Sequence, residues 1–286
     1  HCGSMSSTTS TINKILSEDG IESTITKSKW CLREAMCYVM GVNDMSLKDV
    51  IEQNGSPKIY KSVKCRHDEG LATTPKVNPT NCFESLCRII AGQQLAGAAA
   101  QSIWIRLLET TKPQLSPQKI LKLSEMGLEQ NLQKPAGLSK AKAKSIVDLA
   151  QRFDSNVLQD SFLMSAPEED VRRALLHVRG LGPWSCDMFL MFYLEKPNIL
   201  PLGDLGVRKG IAKHFRLRGS GKQGTLCAKK DVDKMMEVTN PYKPYLSILS
   251  YYMWKVADTP NICDTPKKKT PPEKDRKENK NKRRRI

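Results

Sequence analysis

Long apolar runs are missing from this chain. Nowhere do eighteen apolar residues follow one another, so no bilayer span is expected, and the opening lacks the apolar core of a signal peptide, which argues against secretion. Paired cysteines are missing too. The nine thiols, at 2, 31, 37, 65, 82, 87, 186, 227 and 263, include no Cys-x-x-Cys, which argues against a zinc site and suits a reducing compartment. They read as buried or free thiols. Convincing period-two alternation is also absent, which leaves no candidate strand and points to a nearly all-α fold. A soluble intracellular helical protein is the expectation.

Positive charge is what the chain has in excess. Its formal net charge is +16 with a sequence pI near 9.4, an imbalance that favours polyanionic partners through counterion release. Nucleic acid and an anionic membrane both fit, but no amphipathic basic helix supports the membrane. Residues 265–286 hold eleven Lys and Arg against three acids, so half of the excess lies in the tail. Its two basic clusters read as a nuclear localisation signal or a nonspecific nucleic-acid arm. At 286 residues and 39% hydrophobic content, the chain can bury a core of one or two domains.

The organisation expected from these patterns has four parts. Residues 1–27, rich in Ser and Thr and opening on His1-Cys2-Gly3-Ser4 in the manner of an expression remnant, read as disordered. Residues 28–80 hold an apolar helical face at 32, 35, 36, 39 and 40, a short helix over 46–52 and a loop from 53 to 80. Residues 81–258 form the main domain and 259–286 a basic disordered tail. Helical patterns in the main domain start near Phe83, with Asn81 or a neighbour as cap, and in the small-residue stretch 96–100. Others cover 117–123, 140–152, 168–178, 183–194, 206–214, 230–237 and 245–257. The Gly, Lys and Ser of 216–230 read as a mobile basic loop, solvated or touching a polyanion.

One segment carries more than packing. Within 175–195, two apolar helical stretches are joined by Arg179-Gly180-Leu181-Gly182, and Pro183 suits the first turn of the second helix. The glycines allow positive φ and close backbone approach, and the unpaired N–H groups of the second helix can bind a phosphate without regard to base sequence. Alone, such a hairpin serves simple helix packing equally well. A lone acid, Asp204, follows within an apolar and glycine-rich setting, and it is a candidate catalytic carboxylate or the N-cap of the helix that begins at Leu205.

GLGPWS followed by LPLGDLGVRKG resembles the helix-hairpin-helix DNA glycosylase superfamily. Within it the chain looks most like the alkylbase, or 3-methyladenine, DNA glycosylase II branch of eukaryotic type, whose Trp-to-Asp spacing the twenty residues from Trp184 to Asp204 match. The similarity extends to IIAGQQLAGAAAQSIW (Ile89 to Trp104), GLSKAKAKSI (Gly137 to Ile146) and PYKPYLSILSYYMW (Pro241 to Trp254), hence to roughly 80–258.

The resemblance implies two helical subdomains with an active-site cleft between them, and a DNA glycosylase of base excision repair acting as a monomer on duplex DNA with alkylated bases. It makes Asp204 the catalytic residue, whose negative charge stabilises an oxocarbenium-like sugar and orients water. Trp184 and Tyr242 are then candidates for an aromatic pocket attracting cationic alkylated purines. Gln93, Gln94 and Leu95 are candidates for the plug that fills the gap left by a flipped base, with Gln94 as wedge. Arg179, Gly180, Leu181 and Gly182, with Ser139, Lys140 and Lys142, are candidates for backbone contacts. Bifunctional relatives carry a Schiff-base lysine where Trp184 stands, so hydrolysis without strand cleavage is expected. Only Cys227 and Cys263 follow the catalytic helix, so no iron–sulfur cluster, metal or other cofactor is expected. A noncatalytic DNA-binding hairpin protein, or a glycosylase for deaminated or oxidised bases, remains the alternative.

Overall fold

The computed structural model describes residues 2–19, 30–57 and 79–259, and these form helices joined by turns, with no strand among them. The first three helices are α1 (Cys2–Glu18), α2 (Leu32–Gly41) and α3 (Met45–Asn54). After 79 come α4 (Cys82–Gly92), α5 (Gly97–Thr110), α6 (Pro117–Glu125), a widened helical stretch over 129–136, α7 (Lys140–Asp154) and α8 (Asp160–Ser165). The hairpin helices are α9 (Glu168–Leu176) and α10 (Pro183–Met188), the latter running on as a wide π turn, Phe189–Tyr193. The last three are α11 (Leu205–His214), α12 (Val232–Thr239) and α13 (Leu246–Asp258). No helix among the described residues is long and apolar enough to cross a membrane.

Several starts follow directly from capping side chains. Asn81 accepts from the Glu84 N–H, Ser116 from Lys119, Ser139 from Lys142 and Asp204 from Val207, each satisfying a donor that the first helical turn leaves open.

The helices fall into two groups. In one, α4 packs on α5 and α7, α7 also packs on α6, and α10 with its π turn leans on α4. In the other, α11 lies along α13, and α2 and α3 also pack on α13. Gly210 permits the α11–α13 approach, because a Cβ there would collide with the Met253 carbonyl oxygen. The groups are joined around 193–204. There Ser247 Oγ receives the Ile199 N–H at 3.0 Å and donates to the Lys196 carbonyl at 2.6 Å.

Two expectations about organisation are corrected, and two helical stretches had not been expected. Residues 2–18, expected to be disordered, form α1 and pack on α2. Its eight Ser and Thr residues cost about 0.5 kcal/mol each in helix propensity, roughly 4 kcal/mol together. Ile12, Ile15 and Leu16, one apolar stripe, are buried and return roughly 2 kcal/mol each, so burial outweighs propensity. The helical stretch over 129–136 and α8 had no expected counterpart, because both are short and weakly periodic. Residues 216–230 do not form a loose loop. Asp231 Oδ2 accepts from Ser220 N at 2.8 Å, Ser220 Oγ at 3.0 Å and Cys227 N at 2.7 Å, and Leu226 is buried. Of the loop expected over 53–80, residues 53 and 54 belong to α3 and 58–78 lie outside the described residues, as does the basic tail from 260 onward.

Asp44 ties the first helices to the second group. Its Oδ1 caps α3 through the Leu47 N–H, while its Oδ2 meets His214 Nε2 and accepts from Tyr242 Oη, both at 2.6 Å. Burial alone would raise the Asp44 carboxyl, but hydrogen bonds from Tyr242, His214 and the Leu47 backbone prevail and hold it below its usual range. A depressed carboxylate contributes stability above the unfolded pKa and loses it as pH falls through the folded one. Asp44→Asn should therefore melt below the wild type at neutral pH, with the difference closing as the pH is lowered past the ordinary carboxylate range, in thermal unfolding followed by circular dichroism.

Candidate active site

The hairpin turns within 177–182, where the Val178 and Leu181 N–H groups bond back to the carbonyls of Leu175 and Val178. Gly180 sits at φ +78°, in the left-handed region, and a Cβ there would strike Ser145 Oγ of α7. Gly182 caps α10 and has nothing within 4 Å of a notional Cβ, so the backbone is open to a ligand on that side. Leu181 is buried and anchors the turn, whereas Arg179 and Gly180 are exposed. Arg172 locks the two hairpin helices together, with Nη1 2.6 Å from Asp187 Oδ1 and Nη2 2.8 Å from Glu168 Oε1.

Asp204 begins α11 at the junction of the two helix groups. Its Oδ1 accepts from the Val207 N–H at 2.9 Å and from Trp254 Nε1 at 2.8 Å, and its Oδ2 accepts from Trp184 Nε1 at 2.9 Å. A carboxylate oxygen has two lone pairs, so Oδ1 is saturated and Oδ2 keeps acceptor capacity. Asp204 is thus the expected N-cap and also a fixed, partly exposed carboxylate. Gly206 makes room for the second indole, since a Cβ there would lie 2.7 Å from Trp254 Cδ1. Phe192, 39% exposed, stacks on Trp254 with ring centroids 5.6 Å apart and planes 21° from parallel. Burial pushes the nearby Cys186 thiol up to about 11, which leaves it protonated and a poor nucleophile at neutral pH. Arg208, one turn along α11, donates to the carbonyls of Leu202 at 2.7 Å and Leu226 at 3.0 Å, tying the segment before Asp204 to the 216–230 segment.

Trp184 is therefore brought to Asp204, and Tyr242 is not. Tyr242 is only 2% exposed and spends its hydroxyl on Asp44, with burial first and the Asp44 carboxylate second raising its pKa. That corrects its pocket assignment: the aromatic from the C-terminal region that reaches Asp204 is Trp254. Sequence reasoning missed Trp254 because it stands on an apolar helix where a core role sufficed. The available signal was Gly206-x-x-x-Gly210 on α11, which marks a helix face that admits a large neighbour.

The expected plug divides between two roles. Gln94, at φ +58°, and Leu95, 39% exposed, form the projecting tip of the turn between α4 and α5. Gln93 instead turns back, and its Nε2 donates to the Gly180 carbonyl at 2.8 Å and to Ser185 Oγ at 3.0 Å. Of the three residues in GLSKAKAK, Lys140 is exposed and Ser139 caps α7. Lys142 is half-buried, and its Nζ donates to the carbonyls of Ala91 at 2.9 Å and Gln93 at 2.8 Å, which leaves one of its three N–H groups over. Among the described residues no three His, Cys, Asp or Glu side chains gather as a metal site.

The two hairpin glycines should behave differently. Gly180→Ala should lower stability by about 1–3 kcal/mol, from left-handed strain and the Ser145 clash, whereas Gly182→Ala should melt close to the wild type. Equal melting of the two variants would contradict this geometry.

Residues 87–234 match the family model described as HhH-GPD superfamily base excision DNA repair protein. YfjP of Bacillus subtilis is 29% identical over 191 residues, covering 64% of this chain and 62% of YfjP, so the chain spans less than two thirds of that relative. The DNA-3-methyladenine glycosylase of Saccharomyces cerevisiae is 28% identical over 205 residues, 62% of this chain and 67% of the yeast protein. Among solved structures, the Schizosaccharomyces pombe 3-methyladenine DNA glycosylase Mag1, in complex with abasic DNA, has a TM-score of 0.60 at 21% identity. That match covers 78% of this chain and 95% of Mag1, and it is a likeness of fold.

Proposed function

Because the chain belongs to the HhH-GPD superfamily of base excision DNA repair proteins, we propose that it is a monofunctional DNA glycosylase that flips alkylated purines out of duplex DNA and releases them by hydrolysis. The observation that carries this reading is the Asp204 carboxylate, held by two indole N–H groups and a backbone N–H with capacity left on Oδ2.

An alkylated purine such as 3-methyladenine or 7-methylguanine is cationic within DNA and leaves as a neutral base, taking the electron pair of the C1′–N bond. The sugar then carries developing positive charge, and a fixed carboxylate stabilises it without reorganising. Water adds its oxygen to C1′, guided by Oδ2, and its proton passes to Asp204 or to solvent. Trp184 has no amine and forms no imine with the sugar, so the product is an abasic site in an uncut strand. The Phe192–Trp254 stack and the Trp184 ring supply electron-rich faces beside Asp204, suited to a cationic base. The hairpin backbone and exposed Lys140 suit sequence-independent phosphate contacts, and Gln94 with Leu95 suits the plug. The protein acts as a monomer, and the basic residues of 265–286 suit a nuclear address.

The test is chromatography of free bases released from methylated duplex DNA, with the same reaction run on a denaturing gel. Wild type should release 3-methyladenine or 7-methylguanine and leave the strand uncut, and Asp204→Asn should lose about 100-fold or more in rate with duplex affinity retained. Near-normal release by Asp204→Asn would remove Asp204 from catalysis. Release confined to uracil or an oxidised base would redirect the substrate class, and enzyme-dependent nicking would contradict the hydrolytic mechanism.

A further inference from the structure

The plug turn and the hairpin come from distant parts of the sequence, yet one face of α7 touches both. Lys142, Ser145 and Asp148 stand three residues apart, so they line one stripe of that helix. Lys142 Nζ binds the carbonyls of Ala91 and Gln93, which end α4 without intrahelical partners. An ammonium at a helix C-terminus also meets the negative end of the dipole. Ser145 packs under Gly180, and Asp148 Oδ2 accepts the Arg179 N–H at 2.8 Å. Gln93 closes the third side through its bonds to the Gly180 carbonyl and Ser185 Oγ.

We infer that Lys142 and Gln93 are positioning residues that hold the Gln94–Leu95 tip at a fixed offset from the hairpin, so that the tip enters the duplex beside the nucleotide whose phosphates the hairpin holds. The inference rests on the glycosylase reading for the identity of DNA as ligand. Two of the three Lys142 ammonium N–H groups are spent on these carbonyls, so its directed bonds serve the end of α4, while its charge remains. Partial burial lowers its pKa, in keeping with a cation withdrawn from solvent. The tip itself has little internal support. Gln94 occupies a left-handed backbone conformation, and α5 begins at Gly97 without a side-chain cap, so the registration has to come from outside the turn.

The test uses the full chain and a duplex bearing an abasic-site analogue with 2-aminopurine opposite, whose fluorescence rises when the tip unstacks it. It is paired with single-turnover release of 7-methylguanine and with affinity for undamaged duplex across a salt series. Lys142→Met and Gln93→Glu should each reduce the fluorescence rise and the release rate by about tenfold to 100-fold, because a small misplacement of a distant support is amplified at the reacting centre. Duplex affinity should fall far less than release, by no more than the long-range effect of one changed charge, and Lys142→Arg should restore most of the loss.

A fall in duplex affinity and salt slope that matches the loss of release would overturn the inference and make Lys142 a phosphate contact. Wild-type rates in both variants would overturn it as well. If Lys142→Met fails to fold, Gln93→Glu, at a partly exposed position, carries the same test. A wild-type protein that unstacks the probe but releases no base would defeat the glycosylase reading and leave the positioning role standing. A wild type that does not unstack the probe contradicts the inference itself.

Discussion

The carboxylate of Asp204 is held from two sides of the molecule. Trp184 reaches it from the hairpin helix, and Trp254 reaches it from the helix that packs along α11. Each indole has a single N–H, and each spends it on a different oxygen of the same side chain. The site therefore exists only when the two helix groups are docked. Much of the surrounding structure serves that condition. Gly206 and Gly210 let α13 come against α11, Ser247 fastens the connecting segment, and Arg208 ties the segment before the acid to the 216–230 segment. The resulting carboxylate is rigid and partly open, which is what electrostatic stabilisation of a transient cation requires.

The surfaces proposed to meet DNA are organised differently. The hairpin exposes backbone, the Gln94–Leu95 turn is exposed, and α7 bonds to both neighbourhoods through Lys142 and Asp148. The proposed chemistry and the proposed registration are thereby separated in space. Asp204 lies between the helix groups, while the α7 stripe lies within one of them. Substitutions in the two places should damage different steps, release in one case and capture of the extrahelical base in the other.

The helical class, the hairpin and Asp204 were legible in the sequence because each has a local signature. Asn81 and Asp204 cap helices through bonds spanning three residues, a range that a linear reading covers well. What escaped depends on long-range contacts. α1 is rich in poor helix formers, and three buried side chains stabilise it against a partner helix. Tyr242 and Trp254 are both aromatic residues in one similar segment, but only the packing of α3 and α11 turns the first to Asp44 and the second to Asp204. Lys142 looked like a phosphate ligand because a lysine in a basic run is ordinarily solvated. Its carbonyl partners lie about fifty residues away in sequence. The loop over 216–230 looked mobile by composition, and a single buried acid, Asp231, orders it.

We propose that the orientation of Asp204, set by its two indole donors, drives hydrolytic release. The most direct test is the single-turnover release of 7-methylguanine by Trp254→Phe, which keeps an aromatic ring against Phe192 but removes the N–H from Asp204 Oδ1. A loss of about tenfold or more in rate, with unchanged duplex affinity and an uncut strand, is expected. A Trp254→Phe protein that releases base at the wild-type rate would contradict it.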